Sequence, residues 1–199
     1  SVVPHGIEMS SFDSREKKGS DGNGEQDSFI NVLYLGQIVP HKGVFLLAKA
    51  FKAINRNDVR LHIAGAGDYS GPLQDELQDI SNVTFHGHVS GEAKERLLAG
   101  SDVCVLPSIC YETAGLVILE AYRYGLPVIG SRIGAIPEMI AENKTGFLFE
   151  PGDEIGLVSV LQNISKERLK QMANDCRQAA ITYSMENHLD KLFEVYTGL

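Results

Sequence analysis

Two carboxylates separated by seven residues, Glu112 and Glu120, bracket the run Thr113-Ala114-Gly115-Leu116 directly after a β-branched apolar stretch, DVCVLP. A helix beginning near Ala114 or Gly115 would leave its first amides without acceptors, and such amides at a helix N-terminus bind phosphate. Gly115, lacking a Cβ, lets an anion come close to the backbone. Eight helical residues would hold the two carboxylates about 12 Å apart, beyond the roughly 5 to 9.5 Å of paired glycosidase carboxylates. They are therefore expected to grip hydroxyls at different parts of one ligand. Residue type alone leaves another reading open, that both are solvated acids on a helix flank.

Lys42 follows another such run, in YLGQIVPHKG, where it is either a solvated lysine or a cation waiting for an anion. His86-Gly87-His88-Val89 closes a third run, VTFHG, and the two histidines are either surface groups beside a turn or ligand contacts. After VRLHIAG, the glycines Gly65, Gly67 and Gly71 approach a dinucleotide fingerprint, with the last glycine one position late. The acid that such a site needs at the end of the next strand is replaced by His86-Gly87-His88, which disfavours a dehydrogenase.

The elements that must carry these residues alternate. INVLYLG, VRLHIAG, NVTFHG, DVCVLP, LPVIGS and GFLFE read as strands, NVTFHG among the buried ones. Between them lie amphipathic stretches, of which the first places Val44, Leu47, Phe51 and Ile54 on one stripe. Helices are also expected over GPLQDELQDI, EAKERLLAG, Leu116 to Tyr124 and Pro137 to Glu142. That rhythm predicts an α/β fold, a Rossmann-like doubly wound, mostly parallel sheet with helices on both faces and a helical carboxy-terminal segment. In such sheets ligands bind beyond the carboxyl ends of the strands, where Lys42, His88 and Glu112 all fall. After Pro151 the pattern is helical only, and these helices are expected to pack over one edge or to protrude toward a partner domain. Residues 13–28, DSREKKGSDGNGEQDS, contain no apolar side chain and are expected to form a mobile loop.

Composition narrows the class. The 199 residues carry 18 Lys plus Arg against 26 Asp plus Glu, a net charge of −8 that repels a phosphate-rich polymer, so nucleic acid is not the expected partner. No apolar run reaches the roughly 18 to 20 residues of a membrane span, so direct membrane contact is not indicated. Cys104, Cys110 and Cys176 form neither a disulfide framework nor a metal motif, which fits a reducing cytoplasm. The sequons at Asn82, Asn143 and Asn163 are read as chance matches to a short motif.

Taken together, YETAGLVILEAYRYGLPVIGSRIGAIPEMI, YLGQIVPHKGVFLLAKAF, LHIAGAG, VTFHGHV and VVPHGIE resemble the carboxy-terminal domain of family 4 glycosyltransferases, retaining nucleotide-sugar-dependent enzymes of the GT-B fold. The resemblance runs from Val2 to the final stretch YSMENHLDKLFEVY and is most specific at Glu112 and Glu120. It implies that Glu120 accepts the ribose hydroxyls and that Glu112 contacts the donor sugar. Thr113 and the amides of Ala114, Gly115 and Leu116 would hold the diphosphate, and His88 and Val89 the base. Lys42 matches the family's phosphate lysine, while Gly36-Gln37 stands where the family carries Gly-Arg, so Gln37 brings no charge. Ala135 replaces the second glycine of the family's double-glycine loop, and His5 stands where asparagine is common.

By the same resemblance, residues 1–199 form a single domain, the second half of a two-domain enzyme whose amino-terminal acceptor half is absent. The implied function is donor binding for transfer of a hexose-type sugar to an acceptor hydroxyl, with no turnover by this domain alone. The implied partners are the nucleotide sugar and, through the missing half, an acceptor glycan, lipid or small molecule. No cofactor beyond the donor and no metal ligand is implied. The alternative is a non-catalytic nucleotide-sugar-binding module.

Overall fold

Six parallel strands form one sheet: β1 (Ile30–Leu35), β2 (Val59–Ala64), β3 (Val83–Gly87), β4 (Val103–Leu106), β5 (Val128–Ser131) and β6 (Gly146–Phe149). The computed structural model describes residues 28–113, 115–183, 189, 193, 196 and 197. His5, Ala114, most of the final stretch and all but Ser28 of the expected mobile loop lie outside the described residues. The strands are ordered β3-β2-β1-β4-β5-β6, so the chain works outward from β1 in one direction and then returns to the other side of it. The doubly wound fold read from the sequence is thus the one observed, with the reversal of strand order between β1 and β4.

The helices are α1 (Val44–Ala53), α2 (Ser70–Leu77), α3 (Gly91–Gly100), α4 (Leu116–Arg123), α5 (Ile136–Met139), α6 (Glu154–Asn163) and α7 (Lys166–Thr182). β1 is buried along its whole length, as the continuous apolar run INVLYL requires of a central parallel strand. The stripe on α1 is buried as its spacing demands, from Val44 to Phe51, with Ile54 capping the helix end. A fully buried Leu or Val of this kind contributes about 1.5 to 3 kcal/mol.

Three expectations need correction. α6 and α7 do not share one edge: α6 packs against α1 and touches the edge strand β6, whereas α7 packs against α4. α5 ends at Met139, short of Glu142, because Ile140 is already extended. β3 is half-exposed, not buried, since it is the edge strand and the layer containing α3 sits over β1.

That edge carries a polar chain. His62 Nε2 lies 3.3 Å from Asn31 Oδ1 and His62 Nδ1 lies 3.1 Å from His86 Nε2. Because an amide oxygen only accepts, His62 donates through Nε2 and must accept through Nδ1 from His86. Asn31 is fixed in turn by Asp102, whose Oδ2 accepts its backbone amide at 2.9 Å.

Cys104 and Cys176 are buried, and burial pushes both thiols up to about 12, so they act as core residues. At the sequons, Asn82 donates to the Val59 carbonyl, Asn163 donates to the Ser159 carbonyl and Asn143 accepts from Arg168.

Candidate donor site at the strand-order reversal

Where the strand order reverses, the loops after β1 and β4 lie side by side at the carboxyl ends of their strands, the place where open α/β sheets form a ligand crevice. The loop after β1 runs from Gly36 through a 3-10 turn, Pro40–Lys42, into α1. It is braced from both sides. The Ile109 amide donates to the His41 carbonyl at 2.9 Å, and the Ile38 amide donates to the Ala66 carbonyl at 3.0 Å. A Cβ on Gly65 would lie 1.7 Å from the Gly36 carbonyl oxygen. Of the glycines that mimic a dinucleotide fingerprint, Gly65 and Gly67 are therefore used to let the loops after β1 and β2 touch, and Gly71 is not.

Lys42 ends the turn and reaches across the crevice to Glu112, with Nζ 2.6 Å from Oε1. The Ser108 hydroxyl donates to the same carboxylate oxygen at 2.6 Å, and the Ser131 hydroxyl donates to the Ser108 carbonyl at 2.6 Å. The backbone of Glu112 is also held, because the Ala135 amide donates to its carbonyl at 2.9 Å. Ala135 thus supplies a main-chain contact that needs no glycine. Glu112 is 14% exposed and Lys42 25%. Burial works to raise the Glu112 carboxyl, but the hydrogen bonds from Lys42 and Ser108 and the charge of Lys42 outweigh it and hold its pKa below the usual carboxylate value.

Gly115 stands before the first residue of α4 in the left-handed conformation, φ 55° and ψ 32°, and no side chain caps the helix. A Cβ there would lie 2.5 Å from Met139 Sδ, so the position favours glycine on both counts. Leu116 is 49% exposed and Thr113 is also exposed, while Gly115 between them is buried. Because Glu112 precedes the helix in an irregular stretch, the separation of the two carboxylates is not a run of eight helical residues.

Glu120 lies one turn into α4 and pairs with Lys94 of α3, Oε1 to Nζ 2.7 Å, both about a third exposed at 29% and 31%. They line an open depression with Gly91, Glu95, Leu98, Arg123 and Tyr124. His88 and Val89 lie between β3 and α3, His88 exposed and Val89 packed against the core edge. Gln37 is exposed, and its carbonyl accepts the Tyr34 hydroxyl at 2.6 Å.

The structure therefore brings Gly36, Lys42, Glu112 and the start of α4 to one crevice, with Glu120 on α4 itself. Ser108 and Lys94 were not singled out from the sequence. Ser108 follows β4 and precedes Glu112 by four residues, a spacing that carries a signal once the strand end is known. Lys94 carries none, since only the packing of α3 beside α4 brings it to Glu120. No group of three or more metal-ligating side chains and no membrane-spanning helix occurs among the described residues.

Known proteins are similar to this chain. A sulfoquinovosyl transferase of Arabidopsis thaliana is 35% identical over 173 residues, 82% of this chain and 32% of the relative. The UDP-Gal:alpha-D-GlcNAc-diphosphoundecaprenol alpha-1,3-galactosyltransferase of Escherichia coli is 28% identical, matching 100% of this chain and 54% of the relative. The chain thus spans between about a third and a half of the length of these curated relatives. Among solved structures, the lipopolysaccharide outer core galactosyltransferase WaaB superposes with a TM-score of 0.81 at 19% identity, covering 100% of this chain and 56% of that one. Anabaena HepE in complex with UDP and glucose gives 0.76 at 22% identity, over 86% and 49%. Residues 15–183 match the model of one family, and by that match the chain belongs to the glycosyl transferases group 1.

Proposed function

We propose that this chain is the donor-binding half of a retaining glycosyltransferase of family 4, taking a nucleoside diphosphate sugar and passing a hexose-type sugar to an acceptor hydroxyl. The observation that carries the reading is the meeting of Lys42, Glu112 and the uncapped start of α4 in one crevice. A cation and a helix start without a side-chain cap suit a diphosphate, and a carboxylate with one unshared oxygen suits a sugar hydroxyl. The names of the neighbours agree, since HepE is seen with UDP, with UDP and glucose, and with UDP-glucose.

In this reading the acceptor oxygen bonds to the anomeric carbon on the face from which the diphosphate departs. The C–O bond to phosphate breaks, and the acceptor proton passes to the leaving phosphate. The protein then needs no acid and base pair here. Its work is placement and stabilisation of the departing charge by Lys42 and the amides of Gly115 and Leu116. Glu112 holds the sugar, Glu120 the ribose, and the loop at His88 and Val89 the base. The acceptor, a glycan, lipid or small molecule, belongs to an amino-terminal half, and the buried free thiols suit a reducing cytoplasm.

The test is calorimetric titration of the chain with UDP-, GDP- and ADP-sugars, followed by Glu120→Gln. Binding of at least one donor without multiple turnover is expected, and the substitution should cost about 1 to 3 kcal/mol of it. Robust transfer by the chain alone, or no binding of any of the three, overturns the proposal.

A further inference from the structure

The edge of the sheet carries a pair of imidazoles that the donor crevice does not use. His62 of β2 and His86 of β3 meet with Nδ1 of the first 3.1 Å from Nε2 of the second. A bulge brings them together. His62 pairs with Thr84 and Ile63 with Phe85, but Ala64 pairs with Gly87, so His86 is the extra residue on the edge strand. Bulges are rare between parallel strands, and they re-aim the side chain they carry.

Two nitrogens held by one metal ion at about 2.0 to 2.1 Å, with an angle between a right angle and the tetrahedral one, stand about 2.8 to 3.4 Å apart. The histidine pair already has that span. A tilt of the partly exposed His86 ring turns both lone pairs toward one point beside the line between the nitrogens. The His86 hydrogen then moves from Nε2 to Nδ1, and no net proton is released. The outer partners are in place as well: His62 Nε2 donates to Asn31 Oδ1 at 3.3 Å, and Asp102 Oδ2 accepts the Asn31 backbone amide at 2.9 Å. A histidine anchored through one ring nitrogen in this way keeps the other aimed at an ion. Arg60 lies two residues before His62 on the same face of β2, so an ion held by charge alone is disfavoured there. An ion that bonds to imidazole nitrogen is not excluded in the same way.

We propose that His62 and His86 bind a divalent transition-metal ion of the Zn²⁺ and Cu²⁺ class, as a clip between β2 and the edge strand β3. Among the described residues no third histidine, cysteine or carboxylate completes the set, so water fills the remaining positions. The inference is independent of the donor-binding reading.

The experiment titrates the full chain with ZnCl₂ and, in parallel, MgCl₂ near neutral pH by calorimetry, for the parent, His62→Gln, His86→Gln and His41→Gln, the last a control at an exposed histidine in the loop after β1. Zn²⁺ should bind the parent and His41→Gln alike, and Mg²⁺ should bind neither. Losing an outer partner of a metal ligand costs about 10- to 100-fold in affinity, so losing His62 or His86 should weaken Zn²⁺ binding about tenfold or more. Melting temperatures separate loss of binding from loss of fold. A second readout needs no variant: the electron paramagnetic resonance spectrum of the parent with one equivalent of Cu²⁺ should show coupling to two imidazole nitrogens. Saturating Zn²⁺ should also slow hydrogen exchange of the β3 amides. Equal Zn²⁺ affinity in the parent and both pair variants, a Cu²⁺ spectrum without two coupled nitrogens, or Zn²⁺ binding matched by Mg²⁺ overturns the site. Exchange of β3 left unchanged by bound Zn²⁺ overturns the clip.

Discussion

Glu112 and Glu120 belong to one short stretch of sequence, yet their surroundings differ in kind. Glu112 sits in a loop, its carbonyl tied to the loop after β5 and one carboxylate oxygen taken by both Lys42 and Ser108. Glu120 sits on a helix, with the Lys94 ammonium at 2.7 Å from the neighbouring helix. The first is held by backbone and side chains together, the second by helix packing. The lesson is that repeating a residue type within a motif does not repeat its job. In the proposed reading the more enclosed carboxylate serves the sugar and the more open one the ribose.

Replacing the left-handed glycine between them should have the largest effect. Gly115→Val places a β-branched residue in the left-handed region against Met139, costing at least about 1 to 2 kcal/mol of stability. Thermal melting should show the loss, and nucleoside diphosphate binding should fall about tenfold or more as the first amides of α4 turn away. Lys42→Ala comes next. It should remove about 1.5 to 3 kcal/mol of diphosphate affinity while leaving the uncharged nucleoside unchanged, as parallel titrations would reveal. A sharper contrast comes from neutralising each carboxylate. Glu112→Gln releases Lys42 toward phosphate, so free diphosphate should bind as well or better while the added gain from an attached sugar disappears. Glu120→Gln should weaken both ligands. Identical behaviour of the two glutamines would erase the distinction. The smallest expected effect is that of Gln37→Arg, which adds an exposed cation to the loop that carries Lys42. It should tighten the diphosphate over the nucleoside by about 0.5 to 2 kcal/mol, less as salt rises.

The sheet was readable because parallel central strands must be apolar throughout, and INVLYL and VCVL are. That Lys42 and Glu112 stand at the carboxyl ends of strands was readable because glycine and charge follow those runs, at Gly36, Lys42 and Glu112. Lys94 was not readable, because its partner comes from another helix and nothing local marks it. Nor was the fate of α6 and α7, whose amphipathic patterns show that a face is buried without saying against what. The edge position of β3 was hidden for a related reason: VTFHG alternates in a way that fits a buried or a half-covered strand, and only strand order decides.

The directional chain from His86 through His62 to Asn31 has a consequence for the order in which the sheet comes apart. Among the ring nitrogens of the neutral pair, Nδ1 of His86 is the one left to take a first proton without breaking the chain. A second proton must enter at His62 Nδ1 and expel the His86 hydrogen bond. Burial, together with the positive charges of His86 and Arg60, lowers the pKa of His62 below the ordinary 6.5, and burial lowers that of His86. Below about pH 6.5 the unfolded chain therefore binds more protons than the folded one. The stability contributed by the neutral pair is complete above that pH and is lost as the pH falls through the lowered values. Hydrogen exchange, corrected for its intrinsic acid dependence, should show the amides of β3 losing protection first on acidification while those of β1 and β4 hold. A His62→Gln, His86→Gln chain should open its edge at the same rate across that range.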